Sequence, residues 1–296
     1  MRYKYSIIIP AHNEARTMGG LLKSLLAQHP GAEIIVVNDG SEDDTARIAA
    51  GAGVRVISSP YSMGNGAAVK AGAREAVGDV FIFMDADGQH EAEEIDTLLK
   101  VMDEGYDMVI GARSIKSHAG KARYLANVFY NWFASWVSGH RVHDLTSGFR
   151  AVRAEKFREF LYMLPNGFSY PTTITMAMFR AGYRIAYVPV NVGMREGRSH
   201  IRPFIDGVRF LLIIFKVGTL YSPLKLFFPI SALFFLAGTG YYAYTYIAHD
   251  RFTNMSVLMF ITAIIIFLIG LVSEQLTVLL YSSSQQQRTG TWKSEE

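Results

Sequence analysis

Short, continuous apolar runs alternate with longer polar-apolar segments through the first part of the chain. The apolar runs predict β-strands over residues 5–10, 33–38, 54–58, 79–84 and 108–112. The segments after them predict helices over 15–28, from 43, over 63–76, 92–104 and 122–138. Apolar strands that alternate with helices are typical of a mostly parallel sheet covered on both faces. We therefore predict an α/β domain whose ligands bind beyond the carboxyl ends of the strands.

Polar side chains follow the predicted strands at that edge. His12 and Glu14 follow the first strand, Asp39 follows the second, and Asp85 and Asp87 follow the fourth. The first turn holds no glycine, and the chain has no Gly-Lys-Ser/Thr sequence. Dinucleotide-dependent hydride transfer and P-loop phosphate chemistry are therefore disfavoured.

The spacing of Asp85 and Asp87 suits a hard metal ion. Alternate residues of an extended chain point to the same side, so the two carboxylates can converge. Mg²⁺ or Mn²⁺ is typically bound by one or two carboxylates together with phosphate oxygens of a substrate. Asp-x-Asp alone is a weak signal, and a polar strand end without any metal is an equally good interpretation of it.

Two long apolar segments lie near the C-terminus. Residues 226–248 and 252–273 contain no charged side chain, and each is long enough to cross a bilayer. We predict a transmembrane hairpin over 223–281, with spans at about 226–248 and 255–278. Two buried core helices are the alternative. Glu274, at the end of the second segment, has either an intramembrane function or a place at headgroup level.

The segment 201–222 predicts an amphipathic helix that lies in the membrane interface. Arg202, Asp206, Arg209 and Lys216 fall on one side of an otherwise apolar helix. A helix that packs against the rest of the protein is the alternative. Residues 1–200 then form the catalytic domain, and 282–296 form a polar tail.

Composition narrows the class of protein. Among 296 residues, 50% are hydrophobic and 19% are charged, which excludes a disordered chain. The net charge of +3 gives no argument for a nucleic-acid partner, and the lack of cysteine excludes disulfides and thiolate metal sites. The first apolar run is too short for a secretion signal. With basic residues before the first span, we expect a multi-pass protein of the plasma membrane whose catalytic domain and tail face the cytoplasm.

Three sequence motifs, taken together, are more specific than the single features above. They are Ile8-Ile9-Pro10-Ala11-His12-Asn13-Glu14, Val37-Asn38-Asp39-Gly40-Ser41-Glu42-Asp43 and Met84-Asp85-Ala86-Asp87-Gly88-Gln89-His90. As a set they resemble the family 2 glycosyltransferases of GT-A fold. The later segment Thr146-Ser147-Gly148-Phe149-Arg150 and the hairpin are similar to the polyprenyl-phosphate glycosyltransferases, the group that includes dolichol-phosphate mannose synthase.

The resemblance implies an inverting hexosyltransferase. It would move a sugar from a nucleotide sugar, GDP- or UDP-linked, to a polyprenyl phosphate in the membrane, with Mg²⁺ or Mn²⁺ as cofactor. The residues implied for nucleotide-sugar binding are Pro10, His12, Glu14, Val37, Asp39, Gly64, Asn65, Asp85 and Ala86. Those implied for the metal are Asp85, Asp87 and Gln89, and those for catalysis are Asp87, Arg113 and Arg195.

Binding of the acceptor phosphate is expected to depend on basic side chains. A phosphate monoester is largely dianionic at neutral pH, so it needs no general base and only needs to be positioned. The residues expected to bind it are Arg113, Arg123, Arg195, Arg198 and Ser199. The sequence departs from the family pattern at two places. Asn65 stands where many relatives have Lys, and Gly197-Arg198-Ser199-His200 stands where dolichol-type relatives have Gly-x-Ser-Lys. The second departure bears on sugar identity and diphosphate contacts.

Other roles and functions stay open on the sequence. His90 is interpreted as structural or as a neighbour of the metal ligands, and Asp144 as orienting Arg150 or a sugar hydroxyl, or as a turn residue. The alternative functions are transfer to another lipid or glycan acceptor and a non-catalytic membrane scaffold. A processive synthase is disfavoured because its Gln-x-x-Arg-Trp motif is absent. A homo-oligomer is compatible with the sequence.

Overall fold

A computed structural model describes residues 3–113, 121–167, 170–190, 212, 215–216, 218–219, 221–251 and 253–291. Side chains are described outside 121–127 and 280–291. The predicted interfacial helix 201–222 therefore lies largely outside the described residues.

Seven strands form one mixed sheet in the order β3-β2-β1-β4-β6-β5-β7. The strands are β1 (Tyr5–Ala11), β2 (Glu33–Asp39), β3 (Arg55–Ser59), β4 (Val80–Phe83), β5 (Met108–Arg113), β6 (Arg150–Arg153) and β7 (Ile185–Val190). All neighbouring strands are parallel except β6, which is antiparallel to both β4 and β5. The predicted mostly parallel α/β fold is confirmed. β6 and β7 are additional to the five strands predicted from the sequence.

The helices of this part fill the connections between the strands. They are α1 (Ala15–Gln28), α2 (Thr45–Gly51), α3 (Asn65–Glu75), α4 (Glu94–Asp103), α5 (Lys121–Ser138), α6 (Ala154–Arg158) and α7 (Tyr170–Arg180). The first five coincide with the predicted helices to within a few residues, because their apolar spacing is a local property of the sequence.

Helices cover both faces of the sheet. On one face, Ile9 and Val36 share a buried core with Leu22 of α1 and Leu98 of α4. On the other face, the ring of Phe83 packs 4.6 Å from that of Phe157 in α6 and 6.3 Å from that of Tyr170 in α7.

Glycine lets α3 approach this second face closely. A Cβ at Gly72 would lie only 2.4 Å from Cγ2 of Ile8 in β1. The missing side chain therefore lets α3 pack directly against β1 and β2.

Two long helices, α8 (Pro223–His249) and α9 (Asn254–Thr291), form an antiparallel hairpin. Small or short polar residues repeat every seven positions along the contact between them: Ser231, Gly238 and Thr245 in α8, and Ser256, Ala263, Gly270 and Thr277 in α9. Ser231 Oγ donates to the carbonyl of Ala263 at 2.8 Å. A seven-residue repeat of small side chains lets two helices pack along their length, as in membrane bundles.

Glu274 lies beside the first turn of α8. Its Oε2 accepts hydrogen bonds from Ser222 Oγ at 3.3 Å and from Leu224 N at 3.2 Å. A carboxylate in this position satisfies a free backbone N–H and complements the positive end of the helix dipole. The contact favours a capping role for Glu274 at the end of the span over a separate intramembrane function.

The hairpin helices are exposed to their surroundings. Stretches of 27 and 26 residues, Pro223–His249 and Asn254–Leu279, are long and apolar enough to cross a membrane, and only 11% and 17% of their most apolar windows are buried. This exposure argues against the alternative of core helices, which would be largely covered. Helix α9 continues to Thr291, so the boundary predicted at residue 281 is not the end of the helix.

The chain divides into two compact units. The described residues up to 190, apart from 136–139, form the first unit, and residues 136–139 with those from 212 onward form the second. The domain boundaries proposed from the sequence stay predictions.

Candidate active site

A cavity of about 410 Å³ opens beyond the carboxyl ends of β1, β2 and β4. Nine of the residues predicted to bind nucleotide sugar or metal line it: Pro10, His12, Glu14, Asp39, Gly64, Asn65, Asp85, Ala86 and Asp87. Parallel strands bring these residues together because each strand ends at the same edge of the sheet. Val37, Gln89 and Arg113, although described, are not among the lining residues.

Val37 is fully buried in β2. Its Cγ2 would lie 3.1 Å from a Cβ at Gly72, so its side chain points towards α3. Contact with a nucleotide would have to come from the Val37 backbone.

Asp39 organises one wall of the cavity. Its carboxylate accepts hydrogen bonds from Ser62 Oγ at 2.8 Å, Met63 N at 2.7 Å and Gly64 N at 2.8 Å. The left-handed φ of Gly64, 100°, allows the turn that directs these groups toward Asp39. His12 Nδ1 lies 2.7 Å from the carbonyl of Asp39, which holds the imidazole at the same wall.

The surroundings of Asp85 raise its pKa in net. Burial, and secondly the charge of Asp87, raise the pKa of Asp85, whereas His90, the Asn65 side chain and Arg113 oppose this shift. The carboxylate is also packed tightly, since a Cβ at Gly148 would lie 2.7 Å from its Oδ2.

Asn65 joins this carboxylate to the first turn of α3. Its side chain hydrogen-bonds Asp85, while its Oδ1 is buried with no hydrogen-bond partner among the described residues. Here Asn65 offers a neutral amide to Asp85, where the lysine of many relatives would offer a charge.

The donor set at the end of β4 fits a hard divalent cation. Both Asp85 and Asp87 line the cavity, and the backbone N–H of Gln89 donates to Asp87 Oδ1 at 3.2 Å. The described part of the chain holds no group of three or more His, Cys, Asp or Glu side chains arranged for a metal. Two carboxylates are sufficient for Mg²⁺ or Mn²⁺ when substrate phosphates supply further oxygens.

His90 is packed as a structural side chain. Its ring stacks on that of Phe149 at 4.5 Å, and its Nδ1 lies 3.3 Å from Glu94 Oε2. This geometry agrees with the structural interpretation of His90.

Arg113, at the end of β5, is clamped by Asp144. Its Nε donates to Asp144 Oδ2 at 2.8 Å, and its Nη2 donates to Asp144 Oδ1 at 3.0 Å and to Thr146 Oγ1 at 2.5 Å. Burial opposes ionisation of Asp144, but the bonds and charge of Arg113 outweigh it and lower the pKa of Asp144. Asp144 therefore orients Arg113, and its hydrogen-bond partners do not include Arg150 among the described residues. Its Oδ1 also accepts from the backbone N–H groups of Thr146 and Ser147, which fits the alternative of a turn residue.

Arg150 is the first residue of β6, and its side chain is fully buried. Its Nη1 donates to the carbonyl of Pro171 at 3.0 Å and to Thr175 Oγ1 at 3.1 Å, and its Nη2 donates to the carbonyl of Ser147. It therefore joins the 144–148 loop to α7, the helix that brings Tyr170 and Pro171 to the cavity.

Six lining residues have no role in the sequence-based site. Ala11 and Thr146 belong to motifs already noted, and the other four are Ser62, Ala68, Tyr170 and Pro171. No local pattern marks the other four, because they reach the cavity only through loop and helix packing. Arg195, Arg198 and Ser199 lie outside the described residues, as does the side chain of Arg123.

Comparison with known proteins identifies the family. Residues 6–161 match the family model described as glycosyl transferase family 2. The chain belongs to glycosyl transferase family 2. Residues 222–279 match a second model, the GtrB C-terminal hairpin. These matches confirm the resemblance drawn from the motifs and the prediction that the chain is a sugar-transferring enzyme.

This glycosyltransferase is similar to two curated proteins over most of their length. It is 31% identical to a dolichyl-phosphate hexose transferase of Haloferax volcanii, over 72% of this chain and 92% of that one. It is 28% identical to a polyprenol monophosphomannose synthase of Mycolicibacterium smegmatis, over 64% of this chain and 77% of that one. The predicted hexosyltransferase agrees with these names.

A solved structure confirms the GT-A-like fold. Glucosyl-3-phosphoglycerate synthase from Mycobacterium tuberculosis, in complex with Mn²⁺, UDP and glucosyl-3-phosphoglycerate, superposes with a TM-score of 0.59. It is 22% identical, and the match covers 73% of the family 2 chain and 80% of the synthase. At this identity the likeness is one of fold. The two apolar C-terminal helices, together with the hairpin match, indicate association with a membrane.

Proposed function

We propose that this enzyme transfers a hexosyl group from a nucleoside diphosphate sugar to a polyprenyl phosphate, with inversion at the sugar carbon. The observation that carries the proposal is one cavity that is lined by Asp39, Asp85 and Asp87. The names of the two curated relatives support a hexose as the group transferred and a polyprenyl phosphate as acceptor.

The nucleotide would lie against the walls formed by the ends of β1 and β2. Pro10, His12, Glu14 and the backbone of Val37 would contact base and ribose, with Asp39 holding the turn at Gly64 in place. The two oxygens of the Asp39 carboxylate offer about four acceptor positions, and Ser62, Met63 and Gly64 occupy three of them. The position that remains can accept from a ribose or base donor. Asn65 and Ala86 would contact the sugar diphosphate.

Asp85 and Asp87 would hold Mg²⁺ or Mn²⁺, with Gln89 beside them. The bound cation supplies neutralisation of the charge that develops on the diphosphate leaving group. The protein's part is to fix the two carboxylates: Gly148 and Asn65 pack on Asp85, and Gln89 N–H orients Asp87.

The acceptor needs orientation and no proton transfer. A lipid phosphate has a second pKa of about 6 and is largely dianionic at neutral pH, so one of its oxygens can attack the sugar carbon directly. Arg113 would hold the other phosphate oxygens, assisted by Arg123, Arg195, Arg198 and Ser199. Attack from the side opposite the diphosphate gives inversion.

The hairpin would hold the enzyme where the lipid is. A polyprenyl chain stays in the bilayer because burial of each methylene contributes about 0.8 kcal/mol. We assign the catalytic domain to the cytoplasmic side of the plasma membrane, as a multi-pass protein, because Arg202, Arg209, Lys216 and Lys225 precede the first span and Arg251 alone lies in the link.

The test uses the full-length protein purified in detergent. Labelled UDP- and GDP-hexoses are offered with undecaprenyl or dolichyl phosphate, with Mn²⁺, with Mg²⁺ or with a chelator. We expect a lipid-linked hexose that needs a divalent ion, and a fall of at least 100-fold in Asp87→Asn, of the size seen when a group that binds the developing charge is lost. Asp103→Asn, an exposed change at the end of α4, is the matched control and should transfer at the wild-type rate.

Each alternative predicts a distinct result. Transfer only to a soluble hydroxyl acceptor would contradict the polyprenyl phosphate assignment. Metal and nucleotide binding without any transfer would favour the scaffold.

A further inference from the structure

We infer that Asp144 is a positioning residue for sugar transfer, and that it acts through Arg113. The inference rests on the proposed function, in which Arg113 holds the acceptor phosphate. Its basis is the bidentate ion pair between the two side chains, 31 residues apart in sequence, which joins the end of β5 to the loop before β6.

The pair leaves one side of the guanidinium available. Nε and Nη2 of Arg113 are engaged by Asp144 and Thr146, whereas Nη1 has no hydrogen-bond partner in the described part of the chain. Thr146 itself lines the cavity, so the contact from Nη2 links the guanidinium to a residue of the cavity wall. The two N–H groups of Nη1 suit a phosphate oxygen, since arginine donors bind phosphate strongly.

Asp144 also holds the loop that follows it. Its Oδ1 accepts from the backbone N–H groups of Thr146 and Ser147, each at 3.1 Å. Ser147 Oγ donates to the carbonyl of Gly111 in β5 at 2.7 Å, and Gly148 then lies directly on the carboxylate of Asp85. The loop from Asp144 to Gly148 thereby supports both the guanidinium of Arg113 and the carboxylate of Asp85.

The two functions of Asp144 can be separated by substitution. In Asp144→Asn the side-chain oxygen can still accept from the backbone of residues 146 and 147, so the loop is retained. The negative charge and the second acceptor for Arg113 are lost, and the guanidinium gains freedom to leave its orientation. We expect kcat for lipid-linked product to fall about 10- to 100-fold, the usual effect of losing a charge-assisted hydrogen bond, with KM for the nucleotide sugar little changed.

A double-mutant cycle distinguishes positioning from a general structural role. Wild type, Asp144→Asn, Arg113→Met and the double variant are assayed as full-length protein in detergent, with thermal unfolding followed in parallel. If Asp144 acts through Arg113, Asp144→Asn changes kcat less than about threefold in the Arg113→Met background, because the interaction is already absent. Asp107→Asn is the matched control: its carboxylate also faces arginines, Arg153 and Arg184, but at the opposite end of β5.

Two results would overturn the inference: a wild-type kcat in Asp144→Asn, or the same loss of kcat in both backgrounds. If Asp144→Asn does not fold, Thr146→Val and Thr146→Ser replace it. Loss of kcat in the valine variant alone, and only when Arg113 is present, supports the inference, and any other pattern refutes it. Failure of the wild type to transfer any hexose would instead refute the proposed function and this inference with it.

Discussion

Gly148→Ala should weaken metal binding by crowding the carboxylate of Asp85. Gly148 does not have a left-handed φ, so alanine can adopt its conformation. Its added Cβ would, however, lie 2.7 Å from Oδ2, 3.2 Å from Oδ1 and 3.3 Å from Cγ of Asp85. The carboxylate or the loop must therefore move by about 0.6 Å to restore a carbon–oxygen contact of about 3.3 Å.

A shift of this size matters for a cation site. Functional groups have to be held within about 0.5 Å of their productive positions, and changes beside metal ligands typically reduce affinity about 10- to 100-fold. We expect the Kd for Mn²⁺ to rise at least about tenfold, with a comparable fall in turnover. The assay is a Mn²⁺ titration of the full-length protein in detergent, followed by electron paramagnetic resonance, with UDP or GDP present.

The control is Gly51→Ala at the end of α2, where a new Cβ would have no heavy atom within 4 Å. It should bind Mn²⁺ as the wild type does, and both variants should unfold at similar temperatures. An unchanged Mn²⁺ affinity in Gly148→Ala would refute the reasoning, because Asp85 would then either tolerate the displacement or not bind the metal.

Two further predictions concern stability. Gly238→Leu should destabilise the hairpin by about 1–3 kcal/mol through overpacking, because an added Cβ would already lie 3.1 Å from Cβ of Met259. Gly240→Leu is the control, because an added Cβ there would have no heavy atom within 4 Å, and it should leave the unfolding temperature in detergent unchanged. Equal effects of the two substitutions would contradict the packing. Burial opposes ionisation of Asp144, but its contacts with Arg113 lower its pKa. The ionised carboxylate therefore stabilises the fold above the unfolded-state pKa, and this contribution is lost as the pH falls through the folded-state pKa. Denaturant unfolding should show a steeper loss of stability on acidification in the wild type than in Asp144→Asn, and parallel pH profiles would contradict this.

Local periodicity was sufficient for a large part of the fold. The strands β1 to β5 and the helices between them follow from apolar runs and helical spacing, which neighbouring residues alone determine. The same holds for the hairpin, since a long apolar segment has to satisfy its backbone within one helix when no water is present. The cavity residues at the ends of β1, β2 and β4 were predictable as a group because a parallel sheet collects its strand ends at one edge.

The contacts that hold those residues in place depend on distant parts of the chain. β6 enters the sheet antiparallel between β4 and β5, and this order brings the loop from Asp144 to Gly148 over Asp85. No periodic pattern relates Asp144 to Arg113, or Tyr170 to the cavity. Strand order and helix packing determine which side chains meet across loops. The ion pair between Arg113 and Asp144 therefore forms only when the sheet is assembled.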